Sequence, residues 1–402
     1  MGTVGPTNGQ ALPNRRALYN KVLGMLVGSA IGDAMGAPTE MWTRDAIALD
    51  YGFVNRLDTM VREPSPEGTW LYNLPAGGTT DDTRWKVLAI NYLLAQKKKN
   101  LAPKEFAQHI LTQYQISIQR LKKTEGLAPE PYEARSREMA WLQEWAKVAQ
   151  PFIANDLVSY SNALSRFYGG EVTCAGMLYA PAIGGFYPGN PELAYTQTYA
   201  ISVFDLGYAR DISGLTAAMV SAAMAPNATP EAILNVLRDV DPEHYFQSRL
   251  VGRSAHRILK QARTIVAEAN KIQQADRKSL TIPLPKRGPV DTLMLTRMQK
   301  AYELLEAQNQ DLPFHAAEIH LVNLTALLFS NFDFEKALAF VINYGRDNDT
   351  TGAVTGAILG AYWGADRLPK AMVTKVITVN KQRLGTDLEA LADKLTDRIL
   401  LK

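Results

Sequence analysis

The 402-residue sequence has one cysteine, Cys174, which excludes an internal disulfide framework and a thiolate zinc site and fits a reducing, cytoplasmic compartment. It has no apolar run long enough to span a bilayer, so no membrane association is expected. Charge of one sign is not in excess. Lys and Arg total 43 against 40 Asp and Glu, a net +3, and the basic residues are scattered rather than gathered into a stripe, so nucleic acid is not indicated as a partner. No GxGxxG follows a strand and no P-loop is present, which excludes nucleotide binding of those two kinds. Alternating strand patterns are hard to find. Arg15 and Arg16 before the apolar stretch 22–31 faintly resemble a secretory leader, but Asn20, Lys21 and Asp33 argue against one.

What is present is helical periodicity on a composition, 47% hydrophobic and 21% charged, that buries a large core. The pattern predicts helices over 15–35, 81–98, 103–122, 132–147, 213–224, 230–240, 248–275, 291–308, 315–329, 333–344, 349–363 and 386–400. The fold class is therefore all-α. No linker divides the chain, so residues 15–402 read as one domain behind a flexible tail over 1–14. Stretches 126–131 and 282–289 read as surface loops, and Lys97, Lys98 and Lys99 as the solvated end of a helix.

Glycine recurs at every fourth position twice, as Gly24, Gly28, Gly32, Gly36 and as Gly352, Gly356, Gly360, Gly364. Each costs a helix interior about 1 kcal/mol relative to alanine, so two registers of four require a packing reason. Spacing of four lays them along one side, where another backbone can approach closely. If the two stripes pack on each other, only an antiparallel arrangement brings Asp33 beside Asp347 and Asp349.

Three acidic motifs lie at the ends of these helices. Gly32-Asp33-Ala34-Met35-Gly36-Ala37-Pro38-Thr39-Glu40 runs off a helix C-terminus, where the dipole disfavours anions, so Asp33 and Glu40 call for another partner. Gly77-Gly78-Thr79-Thr80-Asp81-Asp82-Thr83 and Gly345-Arg346-Asp347-Asn348-Asp349-Thr350 each open a helix. Capping explains one Asp at each start. It does not explain paired carboxylates with a hydroxyl at both, because like charges repel unless a cation lies between them. Such hard oxygen donors suit Mg²⁺, Mn²⁺ or Ca²⁺, and two clusters together suit a two-metal hydrolytic site. His315 and His320 are too poorly spaced to share a metal and read as ordinary helix histidines. Asp205 either faces a polar pocket or caps a helix.

Together the three motifs resemble the ADP-ribosylglycohydrolase family, whose pattern is GDAxGAPxE, then TDDT, then DxDT before a Gly/Ala-rich helix. The resemblance covers roughly residues 19–365 in layout. It implies a compact orthogonal helical bundle with a central binuclear metal cleft, two Mg²⁺ (or Mn²⁺) as cofactors, and an ADP-ribosylated protein or other ADP-ribose conjugate as partner. Carried over by position, Thr80, Asp81, Asp82, Asp347, Asp349 and Thr350 become metal ligands, with Asp349 bridging. Glu40, Asp82 and Asp347 become catalytic, with Glu40 on a gating loop. Asp33, Gly176 and Asp205 become substrate-binding. The segment Thr173-Cys174-Ala175-Gly176-Met177-Leu178 stands where the family often has an Asn-Gly-Ala-x-Met-Arg-like run, without its arginine, and a Thr-His pair common further on is replaced near Phe204-Asp205. The rival readings are a metal-dependent phosphoesterase acting on a nucleotide and a non-catalytic, crystallin-like member.

Overall fold

Helix α1 (Arg15–Gly36) is capped by Asn14, whose side chain accepts from Arg16 N, and it is buried without interruption from Val22 to Gly36. A helix apolar on every side belongs inside a core. The computed structural model describes residues 14–96, 100–124, 126, 129–286 and 290–401. The lysine run 97–99 and the tail before Asn14 lie outside them.

In chain order α1 is followed by α2 (Arg44–Asp50), α3 (Asp81–Ala95), α4 (Pro103–Lys123), α5 (Pro129–Ala154), α6 (Leu157–Leu164), α7 (Ala175–Phe186), α8 (Pro191–Ile201) and α9 (Ala209–Ala223). Then come α10 (Pro230–Asp239), α11 (Ser254–Asn270), α12 (Thr292–Glu306), α13 (Ala316–Phe329), α14 (Phe334–Tyr344), α15 (Asn348–Trp363), α16 (Lys370–Arg383) and α17 (Leu388–Leu400). Among the described residues one two-stranded antiparallel sheet accompanies them, β1 (Trp42–Thr43) on β2 (Gly345–Arg346), with Trp42 opposite Arg346 and Thr43 opposite Gly345. No helix of the described residues is long and apolar enough to cross a membrane.

The centre is α1 against α15. A Cβ placed on Gly24 would fall 2.3 Å from Gly360 O, on Gly28 2.3 Å from Gly356 O, and on Gly32 1.9 Å from Gly352 O. These pairings run in opposite directions along the two helices, so the stripes are mutual and antiparallel, as expected. The same register brings Gly36 against Asp349, where a Cβ would lie 2.4 Å from its Cα. At the other end Lys21 Nζ donates to Ala223 O and Ala361 O at the C-termini of α9 and α15, where a cation is favoured. Helices α9, α13 and α14 flank α15, and α7 packs on α9. Trp145 joins this shell through tilted aromatic contacts, with ring centroids 3.9 Å from Trp85 and 4.7 Å from Phe204.

The structure corrects the sequence reading at several elements. Helices α2, α6, α7, α8 and α16 were not expected. Helix α7 is buried on all sides and carries Pro181, Gly184 and Gly185, so it shows no amphipathic period. The loop expected over 126–131 is already helical from Pro129. The helix expected from 248 begins at Ser254, after Leu250 and Gly252 at positive φ.

Candidate active site

Asp33 sits on the last turns of α1 and reaches the first turn of α3. One carboxylate oxygen accepts from Thr80 N at 2.9 Å and Thr80 Oγ1 at 3.0 Å, and the other from Thr83 N at 3.0 Å and Thr83 Oγ1 at 2.6 Å. The partner demanded by an anion at a helix C-terminus is therefore the N-terminus of a second helix. Asp33 is fully buried, and these four donors occupy both its oxygens. The side chain expected to meet substrate holds the Thr80-Asp81-Asp82-Thr83 turn in place.

Capping does not occupy the remaining acids. Helix α3 is capped by Thr80, whose hydroxyl accepts from Asp82 N, and Asp347 stands at the N-cap of α15 without its side chain capping a backbone N–H. Asp82 accepts from Thr350 Oγ1 at 2.9 Å and lies 3.4 Å from Lys86 Nζ, tying α3 to α15. Thr80 Oγ1 lies 3.2 Å from Asp349 Oδ2, while Asp349 Oδ1 is buried with no partner. The β1–β2 pair fastens the Glu40 loop to the Asp347 loop, helped by Met41 N donating to Arg346 O at 2.8 Å. Arg346 adopts a left-handed backbone, φ 64°, and its guanidinium is forked onto Glu318 at 2.7 and 2.9 Å. Glu40 is itself paired with Arg62, which also donates to Ala37 O.

These elements enclose a cavity of about 430 Å³. Glu40, Asp81, Asp347 and Thr350 line it, together with the apolar side chains of Trp145, Leu178 and Phe314. Asp82, expected to be catalytic, is 1% exposed and lies behind this wall, whereas Asp81 faces the cavity. Glu67 and Tyr168 also face it, with Tyr168 Oη 3.4 Å from Glu67 Oε1, and sequence reasoning missed both. The available signal was Tyr168-Gly169-Gly170, which takes positive φ at all three residues and turns the tyrosine into the cleft. No basic side chain of the described residues lines this cavity.

Burial among like charges dominates the electrostatics. Burial, then the Asp82 carboxylate, pushes Asp33 up to about 7 and Asp347 up to about 8. The same two causes raise Asp81 well above the usual carboxylate range, and burial followed by Glu40 and Asp347 raises Asp349 likewise. Among the described residues no three His, Cys, Asp or Glu side chains already converge in a metal-holding group. The acids are spread around the cleft with threonine hydroxyls between them. The donor chemistry, all hard oxygen, and the unpartnered Asp349 Oδ1 fit a divalent cation.

The remaining expected site residues lie further back. Gly176 N donates to Asp205 Oδ1 at 2.8 Å, and Ser213 Oγ donates to Asp205 Oδ2 at 2.7 Å, so Asp205 bridges the start of α7 to α9 and does not cap the helix that follows it. A Cβ on Gly176 would lie 2.3 Å from Asp205 Oδ2, so the glycine serves this contact. Neither lines the cavity, although Thr173, Cys174 and Ala175 just before them do. His315 accepts from Ala317 N as the N-cap of α13, and His320 is fully buried.

Comparison with known proteins matches residues 14–401 to the model of one family, described as ADP-ribosylglycohydrolase. The chain is 22% identical over 377 residues to an uncharacterized protein, YegU, of Escherichia coli (strain K12), covering 92% of this chain and 96% of that one. It is 36% identical over 81 residues to the ADP-ribosyl-[dinitrogen reductase] glycohydrolase of Rhodospirillum rubrum, covering 20% of this chain and 24% of that enzyme. Among solved structures it is similar in fold to a chain of an "ADP-ribosylglycohydrolase-related protein complex", with TM-score 0.53 and 19% identity over 95% of this chain and 99% of the other.

Proposed function

The chain belongs to the ADP-ribosylglycohydrolase family of hydrolases, and from that premise we propose that it cleaves, with divalent cations, the bond between the anomeric carbon of ADP-ribose and a modified protein side chain, releasing ADP-ribose. The observation that carries the reading is the convergence of Glu40, Asp81, Asp347 and Thr350 on one cavity from three segments distant in sequence.

Thr80, Asp81, Asp82, Asp347, Asp349 and Thr350 would hold two Mg²⁺ or Mn²⁺ ions, which supply Lewis-acid polarisation at the ribose and at water. In hydrolysis a water oxygen bonds to the anomeric carbon, the bond to the acceptor breaks, and a proton passes to the departing acceptor. Glu40, oriented by Arg62, and Asp347 face the cavity and are the groups placed to carry that proton and to stabilise an electron-poor sugar. Asp82, buried and outside the cavity lining, would help to hold an ion. Asp33 acts one step back by fixing the turn that carries Asp81 and Asp82. Trp145, Leu178 and Phe314 supply apolar lining that excludes water there. A wall with acids and, among the described residues, no basic side chain admits a diphosphate-bearing substrate only when cations offset its charge.

The test is mass spectrometry of peptides ADP-ribosylated on arginine or on serine, incubated with the protein in Mg²⁺ and then in EDTA. The expected product is free ADP-ribose from one peptide class, lost in EDTA. Release of AMP would make the protein a phosphoesterase, and no release from either class would favour a non-catalytic member.

A further inference from the structure

A second cavity, of about 470 Å³, shares segment 65–71 with the acidic cleft. Ser65 and Glu67 face the cleft, whereas Trp70 and Leu71 face this second hollow. Its charge is opposite. Arg84, Arg120, Arg135 and Arg383 line it, with Glu138 the sole carboxylate of the described residues on its wall.

Glu138 does not cancel this excess. It is 6% exposed and divides its two oxygens between Arg120 Nη1, at 2.6 Å, and Arg135 Nη1, so one carboxylate offsets two guanidiniums. Arg84 spends Nη1 and Nη2 on the carbonyls of Gly68, Pro66 and Glu67 and stacks over Trp70 at 4.3 Å, while its Nε is buried with no partner. Arg383 is exposed at the end of α16, and no ion pair engages it among the described residues. The threonines of the α3 start that border the hollow are already committed to other groups, Thr79 to Asn380 and Thr83 to Asp33. Arg383, together with the N–H groups of Arg120 and Arg135 that Glu138 does not engage, therefore supplies the hollow's available donors, and the guanidinium fork matches phosphate oxygens.

We propose that this hollow is a second, non-catalytic binding site for a compact phosphate anion, of the phosphate or diphosphate class, engaged by Arg383 with Arg120 and Arg135. Its walls are built mainly by α3, α4, α5 and α16; it borders the acidic cleft at Thr80 and at segment 65–71, while its arginines lie outside the cleft's lining. Arg84 lines the hollow and grips the backbone of the segment that places Glu67 in the cleft.

The test is calorimetric titration of inorganic diphosphate, and separately inorganic phosphate, into the full chain freed of divalent metal. Under these conditions the acidic cleft repels the anion and no turnover enters the readout, so the outcome is independent of the proposed hydrolysis. Saturable binding of one diphosphate per chain is expected, weakened roughly tenfold or more in Arg383→Glu and in Arg135→Gln, each a loss of about one decade per charged contact. Arg277→Glu, on an exposed loop away from the hollow, should bind as the parent does. Circular dichroism confirms that each variant is folded, and Arg383, being exposed and free of ion pairs, provides the variant least able to disturb folding. No binding by the parent, or equal weakening by Arg277→Glu and Arg383→Glu, would overturn the site.

Discussion

Asp349 carries the sharpest consequence of burial, because one of its oxygens has no partner and its carboxyl is pushed up by Glu40 and Asp347. Asp349→Asn should abolish turnover and Mg²⁺ binding while leaving the metal-free protein as stable as the parent or more so, since it replaces a carboxyl whose ionised form burial and the neighbouring acids disfavour. A large fall in the melting temperature measured in EDTA would contradict that. Asp33→Asn should behave in the opposite way. An amide cannot accept from all of the Thr80 and Thr83 donors, so the variant should lose about 1–3 kcal/mol in denaturant unfolding without metal. A neutral result would show that Asp33 does not hold the α3 turn. Glu40→Ala should lower kcat by more than it lowers Mg²⁺ affinity, because Glu40 reaches the cavity from a loop fastened by β1–β2. Equal losses of kcat and Mg²⁺ affinity would make Glu40 a ligand.

At the scale of elements the glycine stripes explain why the acidic ends meet. Gly356→Leu should destabilise the fold by about 1–3 kcal/mol or more, because even a Cβ there would sit 2.1 Å from Gly28 O. An unchanged thermal transition would argue against the close backbone contact. This pairing was legible in the sequence because a four-residue glycine period has few other uses in a helix. The acidic clusters were legible for a related reason: each held more carboxylates than capping requires, and the structure leaves capping to Thr80. What stayed hidden was set by tertiary surroundings. Asp33 and Asp82 read as substrate or catalytic groups, yet which face of a turn is covered depends on elements far away in sequence. Glu67 and Tyr168 lie on irregular segments without a period to mark them. Helix α7 disappeared from view because burial on all sides erases the amphipathic pattern.

For the whole molecule, the raised carboxyls link protons, metal and stability. Asp33 at about 7 and Asp347 at about 8 lie above their ordinary value, so in metal-free protein the folded state holds protons that the unfolded state has released. The stability they contribute is complete below about pH 4 and is lost as pH rises through 7 to 8. Divalent cations compete with those protons, so the rise in melting temperature produced by Mg²⁺ should be larger at pH 8 than at pH 5.5. A pH-independent shift would uncouple the ions from these acids. The central claim is that an antiparallel glycine-paired helix core brings two acidic helix starts together as a divalent-cation site, and calorimetric titration of Mg²⁺ into metal-free protein tests it most directly. Two ions bound per chain, with binding lost in Asp349→Asn, is the result expected; no Mg²⁺ binding by the parent, or unchanged binding by the variant, would contradict it.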